Sequence, residues 1–259
     1  MGTVVQIIKF PNVKVKNKFE RIIEEKAEEG KTESYGQIVL NLNLPERRNP
    51  VKIPLKIRFT RPPRQSRLID EEDMLSCIYG IELDVPKRIE HMDGVWDIKE
   101  KKVVEYISYA VSPLETYSLL VGDSKEGVNG ALNALRQLGM PIPVKMQIAF
   151  RGGVRFIELM KRLGSIGWIY VNRIPDYHVK GASMHGIRLE EAEILRDLIS
   201  RGGEVTAIVV YNESKGLSII LSGKGTIYSR QNLRGEDIAR EVKGILELFQ
   251  EYNLIRVVI

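Results

Sequence analysis

The chain has 259 residues, with 39 Lys and Arg against 34 Asp and Glu, and a single cysteine. This length fits one large domain or two of ordinary size. The lone Cys77 excludes an internal disulfide framework and a cysteine-cluster zinc site, and with three scattered histidines we predict neither a metal nor a cofactor. Because no apolar run reaches the roughly 18 residues of a membrane span and no signal-peptide pattern opens the chain, we predict a cytoplasmic protein without membrane contact.

The first elements in chain order are a strand and a helix. Thr3–Phe10 is rich in Val and Ile and is followed by Pro11, which is typical of a strand that ends there. Asn17 is a suitable N-cap for a helix that carries Phe19 on its apolar face and ends at Gly30.

Two alternating segments follow and predict a hairpin. Gln37–Leu44 and Val51–Phe59 each place apolar side chains at every second position, which is the pattern of a strand buried on one face. The short connection between them favours antiparallel pairing. Pro54 has no N–H to donate, so we expect the second strand to lie at a sheet edge or to carry a bulge there.

The rest of the N-terminal half contains one predicted loop and several short elements. The proline-rich stretch Arg61–Arg67 is typical of a loop. The remaining predictions are a helix at Asp70–Tyr79, strands at Ile81–Val85, Val103–Val111 and Tyr117–Val121, and a helix at Glu126–Leu138.

The C-terminal half has a clearer rhythm of strands and helices. Three strands separated by turns short enough for hairpins precede a long amphipathic helix. We predict strands at Val144–Phe150, Gly167–Arg173, Glu204–Tyr211, Leu217–Ser222, Thr226–Ser229 and Leu254–Ile259, and helices at Val154–Leu163, Leu189–Ser200 and Gly235–Tyr252.

Helices and meander strands segregate along the chain, which favours an α+β fold built on a mainly antiparallel sheet with amphipathic helices on one face. We expect an N-terminal domain over residues 1–140 and a C-terminal domain over 141–259, with a single intertwined domain as the alternative. The stretch Leu217–Ile227 and the helix that follows it resemble half of a TATA-binding-protein-like fold. The resemblance covers about a fifth of the chain and implies a fold only.

Positive charge is concentrated in one segment of the chain. Between Glu46 and Arg67 the sequence has one acid and eight basic residues, a local charge of +7 that exceeds the +5 of the whole chain. The basic residues are Arg47, Arg48, Lys52, Lys56, Arg58, Arg61, Arg64 and Arg67. Such a basic segment can follow a phosphate backbone and release its condensed counterions. The alternatives are charges that protect a sheet edge from aggregation, or a surface that binds an acidic protein or the nearby acids at Asp70–Asp73.

A second candidate site is the turn over residues 121–130, where a strand leads into a helix. Gly122, Ser124, Lys125 and Gly127 could hold a phosphate on backbone N–H groups at the helix start. The sequence matches neither the P-loop nor the dinucleotide fingerprint. A plain turn in which Asp123 or Ser124 caps the helix explains the same residues.

A third candidate lies in what the sequence predicts to be a loop between Arg173 and Leu189. Asp176, His178 and His185 could supply an acid–base pair or metal ligands, although their spacing matches no specific metal motif.

These observations support one main hypothesis and two alternatives. The main one is a non-enzymatic cytoplasmic protein that binds DNA or RNA, or a nucleoprotein partner, through the basic segment with little sequence specificity. The first alternative is an enzyme or sensor that binds a nucleotide or another phosphorylated small molecule at residues 122–130. The second is an obligate subunit of a complex, in which an edge strand pairs with a partner's sheet.

Overall fold

The structure is a computed structural model that describes residues 2–30, 32–40, 51–60, 75–91, 94–112, 115–138, 144–150, 154–176, 179–231, 233 and 235–257. Contacts divide the chain into two compact units: Phe10–Pro143, here the 10–143 unit, and Met1–Lys9 with Val144–Ile259, here the 144–259 unit. The strand pairs within each unit are antiparallel, which confirms the predicted α+β fold. The two-domain arrangement stays a prediction, because compactness does not test independent folding.

The described residues form the following strands and α-helices. The strands are β1 (Thr3–Lys9), β2 (Thr32–Leu40), β3 (Val51–Thr60), β4 (Leu75–His91), β5 (Gly94–Ser112), β6 (Glu115–Gly122), β7 (Val144–Ile148), β8 (Ser165–Asp176), β9 (Val179–His185), β10 (Glu204–Asn212), β11 (Leu217–Ser222), β12 (Thr226–Ser229) and β13 (Ile255–Val257). The helices are α1 (Val13–Glu29), α2 (Lys125–Gln137), α3 (Val154–Leu163), α4 (Glu193–Ser200) and α5 (Gly235–Glu251).

In the 10–143 unit, strands β2 to β6 lie side by side in sequence order. Alternate side chains of β3, β4 and β5 turn to one face and are fully buried there, as strand geometry requires. Helices α1 and α2 contact these strands. The buried face includes Ile57, Phe59, Ile81, Leu83, Val104 and Tyr106.

A polar contact fixes α1 against this sheet. The ring of Tyr106 is fully buried beside that of Phe19, with 5.3 Å between centroids. Its hydroxyl donates to Glu20 Oε1 at 3.0 Å and lies 2.9 Å from Ser118 Oγ. The phenol therefore meets the rule that a buried polar group needs a partner, and it connects helix and sheet.

Helix α1 begins earlier than the sequence predicts. Its N-cap is Asn12, whose side chain accepts a hydrogen bond from the Val15 N–H at 2.9 Å, so the prediction of Asn17 as the cap is wrong. Both asparagines are acceptable caps, and the extra turn carries too few apolar residues to reveal itself by periodicity. The predicted end is confirmed, because Gly30 adopts the left-handed conformation with φ of 62°.

The predicted hairpin is confirmed as β2 paired with β3, with Leu40 opposite Val51. Pro54 pairs with Gln37 beside a register shift between Tyr35 and Gln37, so a bulge lies next to Pro54, but its extra residue is on β2 and not, as predicted, on the second strand of the hairpin. Strand β3 pairs with β4 only from Lys56 to Thr60, and β3 is therefore not the edge of this sheet. The register shift interrupts the regular β2–β3 ladder next to Pro54, which is compatible with a residue that has no N–H to donate.

Two sequence predictions are wrong in their element type. Leu75–Tyr79 belongs to strand β4 rather than to a helix, while residues 70–74 lie outside the described residues. Its β-branched and aromatic residues pair with β5 from Tyr106 to Tyr109. The predicted loop before Leu189 contains strand β9, which pairs with β8 from Trp168 to Asn172. Strand β9 is mostly exposed and has no apolar alternation, so hydrophobic periodicity could not find it.

The 144–259 unit contains the predicted meander of β10, β11 and β12 followed by the long helix α5. Its strand order is β1-β12-β11-β10-β8-β9, and β7 pairs with both β1 and β13. Phe150 lies edge-to-face against Phe156 of α3 and Phe249 of α5, at centroid distances of 5.6 and 5.9 Å. The predicted helix at 154–163 is confirmed, and that at 189–200 divides into a 3-10 turn at Leu189–Glu191 and α4.

Gly225 closes the turn between β11 and β12 at a point where β7 passes close by. Its φ is +72°, and a Cβ there would overlap the carbonyl oxygen of Met146. Gly216 also has a left-handed φ, of +59°, but a Cβ there would meet nothing within 4 Å. The two glycines therefore separate backbone strain from a steric clash.

We predict that Gly225→Ala lowers the free energy of unfolding by about 3 kcal/mol or more, because the β7 backbone must shift. Gly216→Ala should cost only about 1 kcal/mol, the strain of a left-handed alanine. Urea denaturation of both variants measures the difference. Equal costs for the two variants would contradict the close approach of β7.

Candidate functional site

The structure describes part of the predicted basic segment. Lys56 and Arg58 are exposed on β3, on the face opposite to that of Ile57 and Phe59. Lys52 lies in β3, where it pairs with Val39. Arg47, Arg48, Arg61, Arg64 and Arg67 lie outside the described residues. Two of the eight predicted residues are thus placed together on one exposed strand face.

Acidic side chains on the next strand lie beside this basic pair. Lys56 is directly opposite Asp84 and Arg58 is directly opposite Glu82. Lys101 of β5, opposite Asp84, makes an ion pair with Glu82 over 2.6 Å. Directly opposed residues on one face have Cβ atoms about 5 Å apart, so each acid reduces the potential at the adjacent cation. The exposed face is therefore a mosaic of basic and acidic side chains, which sequence reading along one strand could not reveal.

At the turn over residues 121–130, capping and packing account for the predicted phosphate-binding residues. Ser124 Oγ accepts a hydrogen bond from the Gly127 N–H at 3.1 Å, as an N-cap of α2 should. A Cβ at Gly122 would lie 3.1 Å from Val128 Cγ2, so this glycine allows close packing of the helix on its strand. Lys125 is exposed at the first position of α2. The phosphate site stays a prediction with no contact that favours it.

Lys102 of β5 makes an ion pair with Asp123 of this turn. Its side chain is 11% exposed, and its Nζ lies 2.8 Å from Glu100 Oε1 and 3.4 Å from Asp123 Oδ2. The hydrogen bond to Glu100 raises the pKa of Lys102 above its ordinary value; burial opposes this shift, and the charge of Asp123 adds to it. The Lys102 ammonium is therefore paired with two carboxylates of the protein, Glu100 and Asp123.

The third candidate is a cluster of aromatic and polar side chains on strands β8 and β9 of the 144–259 unit. Trp168 and Tyr170 have rings parallel within 10° and centroids 6.2 Å apart. The imidazole of His185 lies 6.2 Å from the Trp168 ring, tilted by 51°. Trp168 Nε1 donates to Ser183 Oγ at 2.7 Å, and Ser183 Oγ lies 3.2 Å from His185 Nε2. We call Trp168, Tyr170 and His185 the aromatic cluster.

Two glycines make room for the exposed rings on this face. A Cβ at Gly181 of β9 would lie 3.1 Å from the Tyr170 hydroxyl and 2.7 Å from Asn172 Oδ1, so these side chains extend over the edge strand. A Cβ at Gly167 would overlap the ring of Tyr211, which is 39% exposed. Gly167 is left out of the β8–β10 register at a bulge. The missing side chains thus leave room for the rings of Tyr170 and Tyr211.

Sequence reasoning found only His185 of this cluster and grouped it with Asp176 and His178. The structure places His185 at the end of β9, opposite Trp168, rather than in a loop. Asp176 ends β8, and His178 lies outside the described residues. The signal that could have found the cluster is the spacing of two between Trp168 and Tyr170 and between Ser183 and His185, since such pairs share one strand face.

In the described ranges, no group of three or more His, Cys, Asp or Glu could hold a metal ion. No helix of the described part of the chain is long and apolar enough to cross a membrane. Comparison of the sequence with models of known protein families and with curated proteins found no match.

The Lys102 contacts generate a pH prediction. A raised pKa in the folded state stabilises the protein below the pKa of the unfolded chain, about 10.4, and this contribution is lost as pH rises through the folded value. We expect wild type to be more stable than Lys102→Met at pH 7 to 9 and the difference to shrink at higher pH. Urea denaturation at several pH values measures it.

The control is Lys125→Met, which removes an exposed lysine from the same turn. It should change the unfolding free energy at pH 7 by less than about 0.5 kcal/mol. A difference between wild type and Lys102→Met that stays constant up to pH 11.5, roughly a unit above the unfolded pKa, would contradict the role given to the two carboxylates.

Proposed function

We propose that this chain is a non-enzymatic cytoplasmic protein that binds nucleic acid through its phosphate backbone. The observation that carries the proposal is the exposure of Lys56 and Arg58 side by side on one face of β3, within the segment that holds the +7 charge. Lysine and arginine on a strand face can contact successive phosphates and release condensed counterions. Such contacts position a protein on nucleic acid without reading its bases.

The charge mosaic sets the strength of this interaction. Because Asp84 and Glu82 lie directly opposite the two basic residues, part of the favourable potential is cancelled before any ligand arrives. Binding should therefore be weak, should fall with added salt, and should strengthen when the acids are neutralised. A moderate affinity suits a subunit of a nucleoprotein complex, in which other contacts add to this one.

The open position of the Ser183–His185 pair supports a non-enzymatic role. Ser183 and His185 could act as nucleophile and base, and both are exposed on the edge strand β9. Ser183 Oγ also accepts the indole N–H of Trp168. Acyl or phosphoryl transfer needs a site that excludes water and holds developing charge, which an open strand surface does not offer.

The experiment replaces both exposed cations. Lys56→Glu with Arg58→Glu should weaken binding of a labelled nucleic acid by about tenfold or more and reduce the slope of log affinity against log salt by about 2, one for each lost phosphate contact. Fluorescence anisotropy at several salt concentrations measures both quantities.

A charge-matched control distinguishes a specific surface from net charge. Lys14→Glu with Lys18→Glu makes the same change in charge at exposed positions of α1. It should leave the salt slope within about 0.5 of wild type, since slope follows direct phosphate contacts. Equal losses in the two double variants would show that any basic surface serves, and the proposal would fail.

The neighbouring acids give a prediction of opposite sign. Glu82→Gln with Asp84→Asn removes two negative charges while keeping the shape of the side chains, so binding should tighten by about threefold to tenfold at low salt. The gain should vanish near 1 M salt, where the screening length falls to about 3 Å. Unchanged affinity at low salt would mean that the ligand does not approach this face.

A further inference from the structure

We propose that the aromatic cluster of β8 and β9 is a stacking site for unpaired bases, so that the nucleic acid bound by this chain is single-stranded there. The inference rests on the proposed function and adds the class of ligand and a second contact region. It is carried by the parallel rings of Trp168 and Tyr170 together with the tilted ring of His185. Aromatic side chains on an open sheet are the usual platform for unpaired bases, because every base offers a face.

The Trp168 ring is oriented before any ligand binds, and Tyr170 has room beside it. The indole N–H of Trp168 is fixed by Ser183 Oγ at 2.7 Å, and the hydroxyl of Tyr170 extends over Gly181. Tyr170 is nevertheless 36% exposed. Rings that are already oriented lose little conformational entropy on binding, so more of the stacking energy is available for affinity.

The charges around the cluster favour a polyanion. Among the described side chains of β8, β9, β10 and β11, Glu204 is the one carboxylate, and Arg173 Nη1 donates to it at 3.0 Å. Lys180 and His185 are exposed on β9. Hence, among the described side chains of these strands, which do not include that of Asp176, no unpaired acid repels a phosphate, in contrast to the mosaic around Lys56.

A cavity continues the surface at the end of β8 beyond Tyr170. It has a volume of about 480 Å³ and is lined by Asn172, Arg173, Lys180 and Glu204, among others. From Trp168 to Arg173 a strand rises about 17 Å, enough for two or three nucleotides. A single-stranded nucleic acid that runs along β8 could therefore place its bases on the rings and a phosphate near Arg173 and Lys180.

Duplex nucleic acid does not meet these requirements. Its base faces are covered by their neighbours in the stack, whereas loops and single strands can present them to aromatic side chains. The cluster should accordingly distinguish oligo(U) or oligo(dT) from a duplex of equal length. The basic face around Lys56 contacts phosphates and should bind both.

The first test uses the tryptophan as its own reporter. The chain has two tryptophans, so Trp96→Phe leaves Trp168 as the only one. Adding oligo(U) of about 12 nucleotides, within the usual single-strand site size, to this full-length variant should quench Trp168 fluorescence. A duplex of the same length should leave the emission unchanged. Anisotropy of labelled oligo(U) with the wild-type chain checks the affinity independently of Trp96.

The second test removes the rings. Trp168→Leu with Tyr170→Leu should weaken binding of oligo(U) about tenfold or more and leave duplex affinity and the salt slope unchanged. Trp168→Phe keeps a ring without the N–H donor and should stay within about threefold of wild type. Ile194→Ser, at a 62% exposed apolar position on α4, is the control for loss of surface apolar area. Circular dichroism confirms that each variant is folded.

The outcomes separate this inference from the proposed function. If wild type binds neither oligo(U) nor duplex, the proposed function fails and the stacking site with it. If both ligands bind with equal affinity, depend on Lys56 and Arg58, and leave Trp168 fluorescence unchanged, the proposed function stands and the stacking site is refuted. Equal affinity of the folded double leucine variant and wild type for oligo(U) would also refute it.

Discussion

The two-sided geometry of β-strands is the constraint on which the described features of this protein depend. Successive side chains point to opposite faces. Where helices cover one face of a sheet, every second side chain of a strand is therefore buried and the others lie on the opposite face. In β3 this sorting buries Ile57 and Phe59 and exposes Lys56 and Arg58. In β11 it gives a strict alternation from Leu217 to Ser222. Candidate binding residues follow from the faces that helices leave open.

What an open face carries depends on neighbouring strands more than on its own sequence. Lys56 and Arg58 form an uninterrupted basic pair along β3, yet across the sheet they lie opposite Asp84 and Glu82. If β9 carried large side chains at positions 181 and 183, the rings of Trp168 and Tyr170 could not lie together on this face. Gly181 and Ser183 instead leave room for both rings and bind the indole. The register of the neighbouring strand therefore lowers the positive potential at Lys56 and Arg58 and leaves the rings of Trp168 and Tyr170 side by side.

This dependence on register explains how much could be predicted from the sequence. Elements with strong apolar periodicity, such as the helix Val154–Leu163 and the meander before α5, were predicted correctly because their burial follows local spacing. Strand β9 and the first turn of α1 were missed, since neither carries an apolar pattern. The acids beside Lys56, and the contacts of Trp168 with Ser183 and His185, were missed for a further reason: they join residues on neighbouring strands, and no local window contains both partners.

The basic face around Lys56 and the aromatic cluster would bind by different physical interactions and would therefore contribute differently to binding. Attraction between cations and phosphates is long in range, weakened by salt and indifferent to base pairing. Stacking on a ring acts only at contact, survives salt and requires an exposed base face. The basic face would thus supply encounter and general affinity, while the aromatic cluster would supply preference for unpaired strands. Because salt acts on the first and ring removal on the second, the two contributions can be measured separately in one protein.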